Sequence, residues 1–145
     1  WKSGVIASMQ SGAVFTVFSA VNNTNAFPPG TLRADLVGNP VLPASERSLG
    51  RWFNTSAFAV PAAFRFGTAG RSILEGPGLV NFDASFIKSF PIREALRAEV
   101  RAEFFNLFNK ANFGLPARSV GVPAFGTITS AQPGRSTQLA LRLEF

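Results

Sequence analysis

The chain has no cysteine, no histidine and no tyrosine. Without Cys there is no disulfide framework and no thiolate metal site. Without His the commonest metal ligand and general base is missing, so a His-based hydrolytic triad cannot be built within these 145 residues. Long apolar runs are also missing. No stretch of about 18 or more apolar residues occurs, which excludes a transmembrane helix. Membrane-spanning β-strands remain open, because their alternating residues escape hydropathy windows. Charge of one sign never clusters: 14 Lys+Arg against 8 Asp+Glu give a net charge of +6, but the basic residues are scattered singly or in pairs. That argues against a nucleic-acid footprint. An initiator methionine is absent as well. The chain opens on Trp1 with no basic-then-apolar signal segment and reads as strand from its first residues. It is therefore expected to be a piece of a longer protein.

What is present is an unusual aromatic set, 16 Phe and 2 Trp. In a soluble domain so many Phe require a deep core; in a barrel they sit against lipid and at the interfaces. Residues 1–10 alternate, with Trp1, Ser3, Val5, Ala7 and Met9 on one face and Lys2, Gly4, Ile6, Ser8 and Gln10 on the other. Residues 13–21 are β-rich and are expected to continue that strand past a bulge at Ser11-Gly12. Leu79 to Phe90 is a further strand, with Phe82, Ala84, Phe86 and Phe90 on one face and Asp83, Ser85 and Ser89 on the other. Lys88 falls on the apolar face near one end, where it can snorkel to an interface.

Ala95 to Phe108 fits two patterns. Leu96, Val100, Phe104, Leu107 and Phe108 have helical spacing in a segment of good helix formers. As a strand, Leu96, Ala98, Val100, Ala102 and Phe104 alternate without error against Arg97, Glu99, Arg101 and Glu103. A helix puts like charges at i,i+4 (Arg97 with Arg101, Glu99 with Glu103), whereas a strand sets each charge beside an opposite one. The charge order favours strand. The last segment, residues 135–145, alternates cleanly through Leu139, Leu141, Leu143 and Phe145, and about ten tilted residues span a bilayer's apolar core.

Between these strands the connections run long, short, long. The stretches 22–78 and 109–134 are rich in Pro, Gly, Asn and Ser, with a short β piece expected at residues 125–130; residues 91–94 form the short link. Outer-membrane barrels have short periplasmic turns and long extracellular loops. The expected fold is thus all-β: antiparallel up-and-down strands, about four of them, forming part of a large transmembrane β-barrel, with 22–78 and 109–134 extracellular.

No constellation points to catalysis. Glu99 and Glu103 face one way in a strand, as a glycosidase pair does. The interleaved Arg97 and Arg101 make a lumen-facing charge ladder the better reading, since adjacent Arg opposes the raised pKa of a general acid. Asp83 on its Ser-lined face reads as lumen polarity rather than a metal ligand. Gly76-Pro77-Gly78 reads as a turn, with no Gly-Lys-Ser/Thr to make a phosphate loop. Asn54-Thr55-Ser56 matches a glycosylation acceptor pattern, which has no bearing if the expected outer-membrane barrel is the fold. Phe104, Phe105, Phe108 and Phe113 cluster where a strand leaves the membrane and suggest an aromatic girdle. No catalytic residue, cofactor or metal is expected.

Four stretches carry a family resemblance: RWFNTSAF (51–58), GRSILEGPGLVNFDASFIKSFPI (70–92), LRAEVRAEFFNLFNKANFG (96–114) and FGTITSAQPGRSTQLALRLEF (125–145). In this order they resemble the C-terminal end of Oar-like TonB-dependent receptors of acidobacterial type. The resemblance implies a barrel of about 22 strands with a plugged lumen, in the bacterial outer membrane, importing a bulky nutrient. It favours strand for residues 95–108. It implies as partners the outer-membrane lipid, the barrel-assembly machinery, an unidentified nutrient ligand and, through an N-terminal part not in this sequence, the energy-coupling TonB system. Leu141, Leu143 and Phe145 are similar to the assembly signal of such barrels, with Ala140 where a Gly is frequent. The alternative is a soluble or surface-attached β-rich binding or adhesion module without transport.

Overall fold

The computed structural model describes residues 1–24, 26, 28 and 31–145. Its strands, in chain order, are β1 (Lys2–Gln10), β2 (Val14–Phe15), β3 (Phe18–Ser19), β4 (Asp35–Leu36), β5 (Phe58–Ala59), β6 (Leu74–Glu75), β7 (Leu79–Arg93), β8 (Leu96–Phe105), β9 (Ser119–Val120) and β10 (Ser136–Glu144). Single 3-10 turns lie at Ala44–Glu46 and Thr55–Ala57. The residues divide between two compact units: 1–11, 78–112 and 131–145 in the first, 12–77 and 113–130 in the second.

The first unit is a four-stranded sheet in the order β1-β7-β8-β10, every neighbour antiparallel. Strands adjacent in the sheet are consecutive among its members, which is the expected up-and-down arrangement. Residues 96–105 are strand, as their charge order favours. The short connection is tighter than residues 91–94: β7 runs on through Arg93 and only Glu94 and Ala95 make the turn. Pro91 lacks a ladder N–H, and the register shifts between Pro91 and Arg93, the kind of irregularity that admits proline inside a sheet.

The β-rich stretch 13–21 does not extend β1. It leaves the sheet at Gly12, where a Cβ would overlap the carbonyl oxygen of Gly76. It then splits into β2, antiparallel to β6, and β3, parallel to β9. Its period-2 pattern is real but serves another core: Phe15, Val17 and Ser19 are buried.

That core belongs to the second unit, built from stretches that read as loop. Phe15, Val17, Ala34, Phe53, Ala57, Phe58, Ala69, Leu74 and Val120 pack together, with Trp52, Ile73 and Phe125 against them. Phe53 is the hub. Its ring lies 5.8 Å from Phe15, 5.8 Å from Phe58 and 5.2 Å from Phe125, tilted or edge-on as aromatic quadrupoles prefer. Truncating such a residue to Ala costs about 3–5 kcal/mol. Asp35 is buried with its charge met: one carboxylate oxygen pairs with Arg65 and the other accepts the Thr68 N–H at 3.0 Å. The expected β piece at residues 125–130 is not a strand. Phe125 and Gly126 lie in a turn whose N–H groups go to Val122 and Ala117, and Ile128 N–H goes to Leu49, so no ladder forms.

Candidate functional site

The sheet's two faces differ in chemistry, and the strand register fixes which residues share each one. Ser3–Phe86–Ala102–Leu139 is one cross-strand row on the first face, and Val5–Ala84–Phe104–Thr137 is another. Lys88–Val100–Leu141 and Phe90–Ala98–Leu143 follow. This face is apolar yet uncovered: Leu139, Leu141 and Val5 are 76%, 68% and 67% exposed. A continuous exposed apolar patch marks a surface meant for something other than water. Only its small residues are sheltered, Ala84 and Ala98. Phe86 and Phe104 meet edge-on at 6.2 Å, and Phe82 meets Phe108 at 5.2 Å.

The opposite face carries Arg97, Glu99, Arg101 and Glu103, all on β8. The Arg101 guanidinium lies 3.7 Å from Glu99 and 3.8 Å from Glu103. Glu99 also accepts a hydrogen bond from the Ser89 hydroxyl at 3.2 Å. Across the sheet Glu99 stands opposite Arg142, and Arg97 opposite Glu144. Arg142 and Glu144 pair with each other at 2.9 Å. Opposite charges thus neighbour one another both along and across the strands, a favourable arrangement for sheet pairs. Ile6 and Ile87 interrupt this face.

Lys88 sits on the apolar face, with its ammonium 4.8 Å from the Trp1 ring and 5.9 Å from the Phe90 ring. Aromatic faces stabilise the charge where water is scarce. Leu141 and Leu143 share the same face on β10, while Phe145 follows the strand's end and is 96% exposed. The four clustered phenylalanines do not form one band. Phe104 and Phe108 pack on the apolar face partners named above, whereas Phe105 stands on the charged face opposite Ser136 and Phe113 belongs to the second unit.

Asp83 is structural: one carboxylate oxygen accepts the Asn106 N–H and the Asn81 amide, each at 2.9 Å. Sequence reasoning passed over the residues that end β8. Asn106 takes a left-handed φ of 51° and is buried. Its side chain accepts from Lys110 N–H at 3.0 Å and donates to the Lys110 carbonyl at 2.9 Å and the Pro133 carbonyl at 3.4 Å. Asn109, also left-handed, accepts from Arg135 N–H, and Asn112 accepts from Val80 N–H, each at 3.0 Å. The signal was visible as Asn at every third position, 106, 109 and 112, directly after the strand. Asn is among the few residues that tolerate this backbone conformation. Among the described residues no group of three or more Asp or Glu is placed to hold a metal ion.

The family model of the outer membrane beta barrel domain matches residues 1–138. No curated protein and no solved structure matches the chain. The matched span takes in β1, β7 and β8 whole and ends inside β10, before Leu141, Leu143 and Phe145. An all-β meander with one uncovered apolar face and one charged face is what such a domain requires, and the chain belongs to the outer membrane β-barrel domain family, a component of the bacterial outer membrane.

Proposed function

We propose that this chain supplies wall strands and extracellular segments of a TonB-dependent, Oar-like receptor that imports a bulky nutrient. The observation that carries the reading is the two-faced sheet. Its apolar rows, exposed in this chain, face lipid; its Arg–Glu ladder of Arg97, Glu99, Arg101 and Glu103 faces the polar lumen. The sequence blocks at 70–92 and 96–114 support the Oar-like assignment. The stretches 22–78 and 109–134 meet the nutrient outside the cell, and a plug elsewhere in the protein, driven through TonB, admits it. The segment performs no chemistry and holds no cofactor. Leu141, Leu143 and Phe145, whose alternation is similar to an assembly signal, present β10 to the barrel-assembly machinery.

The test compares neighbouring positions on opposite faces in the protein that carries this segment. An Arg at mid-bilayer on the lipid face costs about 2–4 kcal/mol, falling towards zero near the interfaces. Leu141→Arg is expected to abolish most folded barrel, read as heat-modifiable mobility of outer-membrane fractions, while Arg142→Leu leaves it near wild type. Equal tolerance at both positions sinks the lipid and lumen assignment. For the transport half, an N-terminal part with neither a plug nor an energy-coupling box rules the transporter out and leaves a surface receptor.

A further inference from the structure

The second unit contains a cavity of about 600 Å³ that plays no part in the sheet. Its size falls in the range of small-molecule sites, about 300–1,000 Å³. Three backbone segments build it. Ser19 N–H donates to Leu32 at 2.7 Å and Ala34 N–H to Val17 at 3.2 Å, which lays residues 32–34 beside 17–19. Gly67 then lies so close on the Arg33 carbonyl that a Cβ would overlap it. Phe18, Leu32 and Phe66 give the lining an apolar part; Thr16, Thr31 and Ser72 add hydroxyls.

Its charge is one-sided. Arg33 and Arg71 line the cavity, and no Asp or Glu does among the described residues. The nearby carboxylate of Asp35 is already engaged by Arg65 and Thr68. One Arg33 donor goes to the Ala69 carbonyl at 2.9 Å, which fixes that guanidinium and leaves the rest of its fork available. The Arg118 guanidinium lies 5.2 Å from the Phe18 ring and adds a third positive charge beside the lining. The rim is strained as well. Ser72 holds a left-handed φ of 52°, fixed by its N–H bond to the Thr16 hydroxyl at 2.9 Å. Ser has no special tolerance for that conformation, and such outliers concentrate at ligand sites.

We propose that this cavity binds a small oxyanion with an attached ring or apolar body. Arg71 and Arg33 hold the carboxylate or phosphate, and Phe18, Leu32 and Phe66 hold the body. Guanidinium forks match planar oxyanions with paired charge-assisted hydrogen bonds. The proposal rests on the receptor reading above and names the chemistry of the part of the bulky nutrient that this cavity holds.

The test is calorimetric titration of the whole, detergent-folded protein with benzoate, phenyl phosphate and benzylammonium. At least one of the two oxyanions is expected to saturate, with benzylammonium about tenfold weaker or more. Arg71→Gln is expected to weaken oxyanion binding about tenfold, Arg71→Lys to restore part of it, and Arg142→Gln on the sheet to change nothing. Arg71 makes no hydrogen bond or ion pair among the described residues, so its loss leaves the fold intact. Saturation by neither oxyanion, equal binding of benzylammonium, or full affinity in Arg71→Gln overturns the site. Because binding is read on assembled barrel without transport, these outcomes judge the cavity alone; failed uptake with intact binding counts against the transporter reading instead.

Discussion

At the scale of single residues, the side chains with the most consequence are polar ones with unusual backbone geometry. Asn106 ends β8 by combining a left-handed φ with hydrogen bonds to Lys110 and Pro133. Asn106→Ala loses both the bonds and the conformational tolerance, and is expected to cost about 2–4 kcal/mol. Asn106→Gly loses the bonds alone and is expected to cost about 1 kcal/mol less. Urea titration of the detergent-folded barrel measures both; identical losses would show that the backbone conformation contributes nothing. The alternation that assigned Leu141 and Arg142 to opposite faces was legible in the sequence, because a strand's period of two needs no tertiary information. The role of Asn106 was not, since its partners lie beyond the strand and one of them, Pro133, is far along the chain.

At the scale of elements, the register decides everything on the sheet. A one-residue shift exchanges the faces of a strand. Inserting one Ala between Ala140 and Leu141 is therefore expected to send Leu139 and Leu141 to opposite faces while leaving composition unchanged. Assembly should fall as far as with Leu141→Arg, read by the same mobility assay. Assembly at wild-type level would mean that β10 is not held in this register. Legibility varied by element for a physical reason. The long strands β1, β7, β8 and β10 carry their pattern over nine residues or more. The pieces β2 to β6 and β9 are two residues each and take their partners from elsewhere in the second unit. A two-residue strand has no period to read. Residues 13–21 show the limit: the alternation was visible, but the partners that draw them into a separate core, Leu74 and Glu75 with Ser119 and Val120, lie far along the chain.

At the scale of the whole chain, the four-stranded sheet cannot close on itself, and β1 and β10 leave unpaired edges in this segment. Open edges template association. Expressed without detergent, these 145 residues are expected to form aggregates. A monomer that melts cooperatively, by calorimetry and sedimentation, would contradict a barrel wall and favour the binding module considered at the outset. The alternating segments foretold the four long strands, but the Pro- and Gly-rich stretches were read as loop where the structure holds a core around Phe53. Such stretches lack periodicity because their apolar residues are contributed one or two at a time.

That core has a kinetic consequence. Closing a flexible loop as long as residues 11–78 costs roughly 3 kcal/mol more than closing a turn like Glu94-Ala95. The β7–β8 hairpin should thus form early, with β1 left to find its place across a great contour length. Yet Gly12 and Gly76 end up in contact, and Gly76 N–H bonds to Ala13 at 2.9 Å. Once residues 12–77 have folded, the two ends of that stretch lie side by side, as close as across a tight turn. An insertion that looks like an entropic burden on the barrel then becomes the clasp that brings its distant strands together.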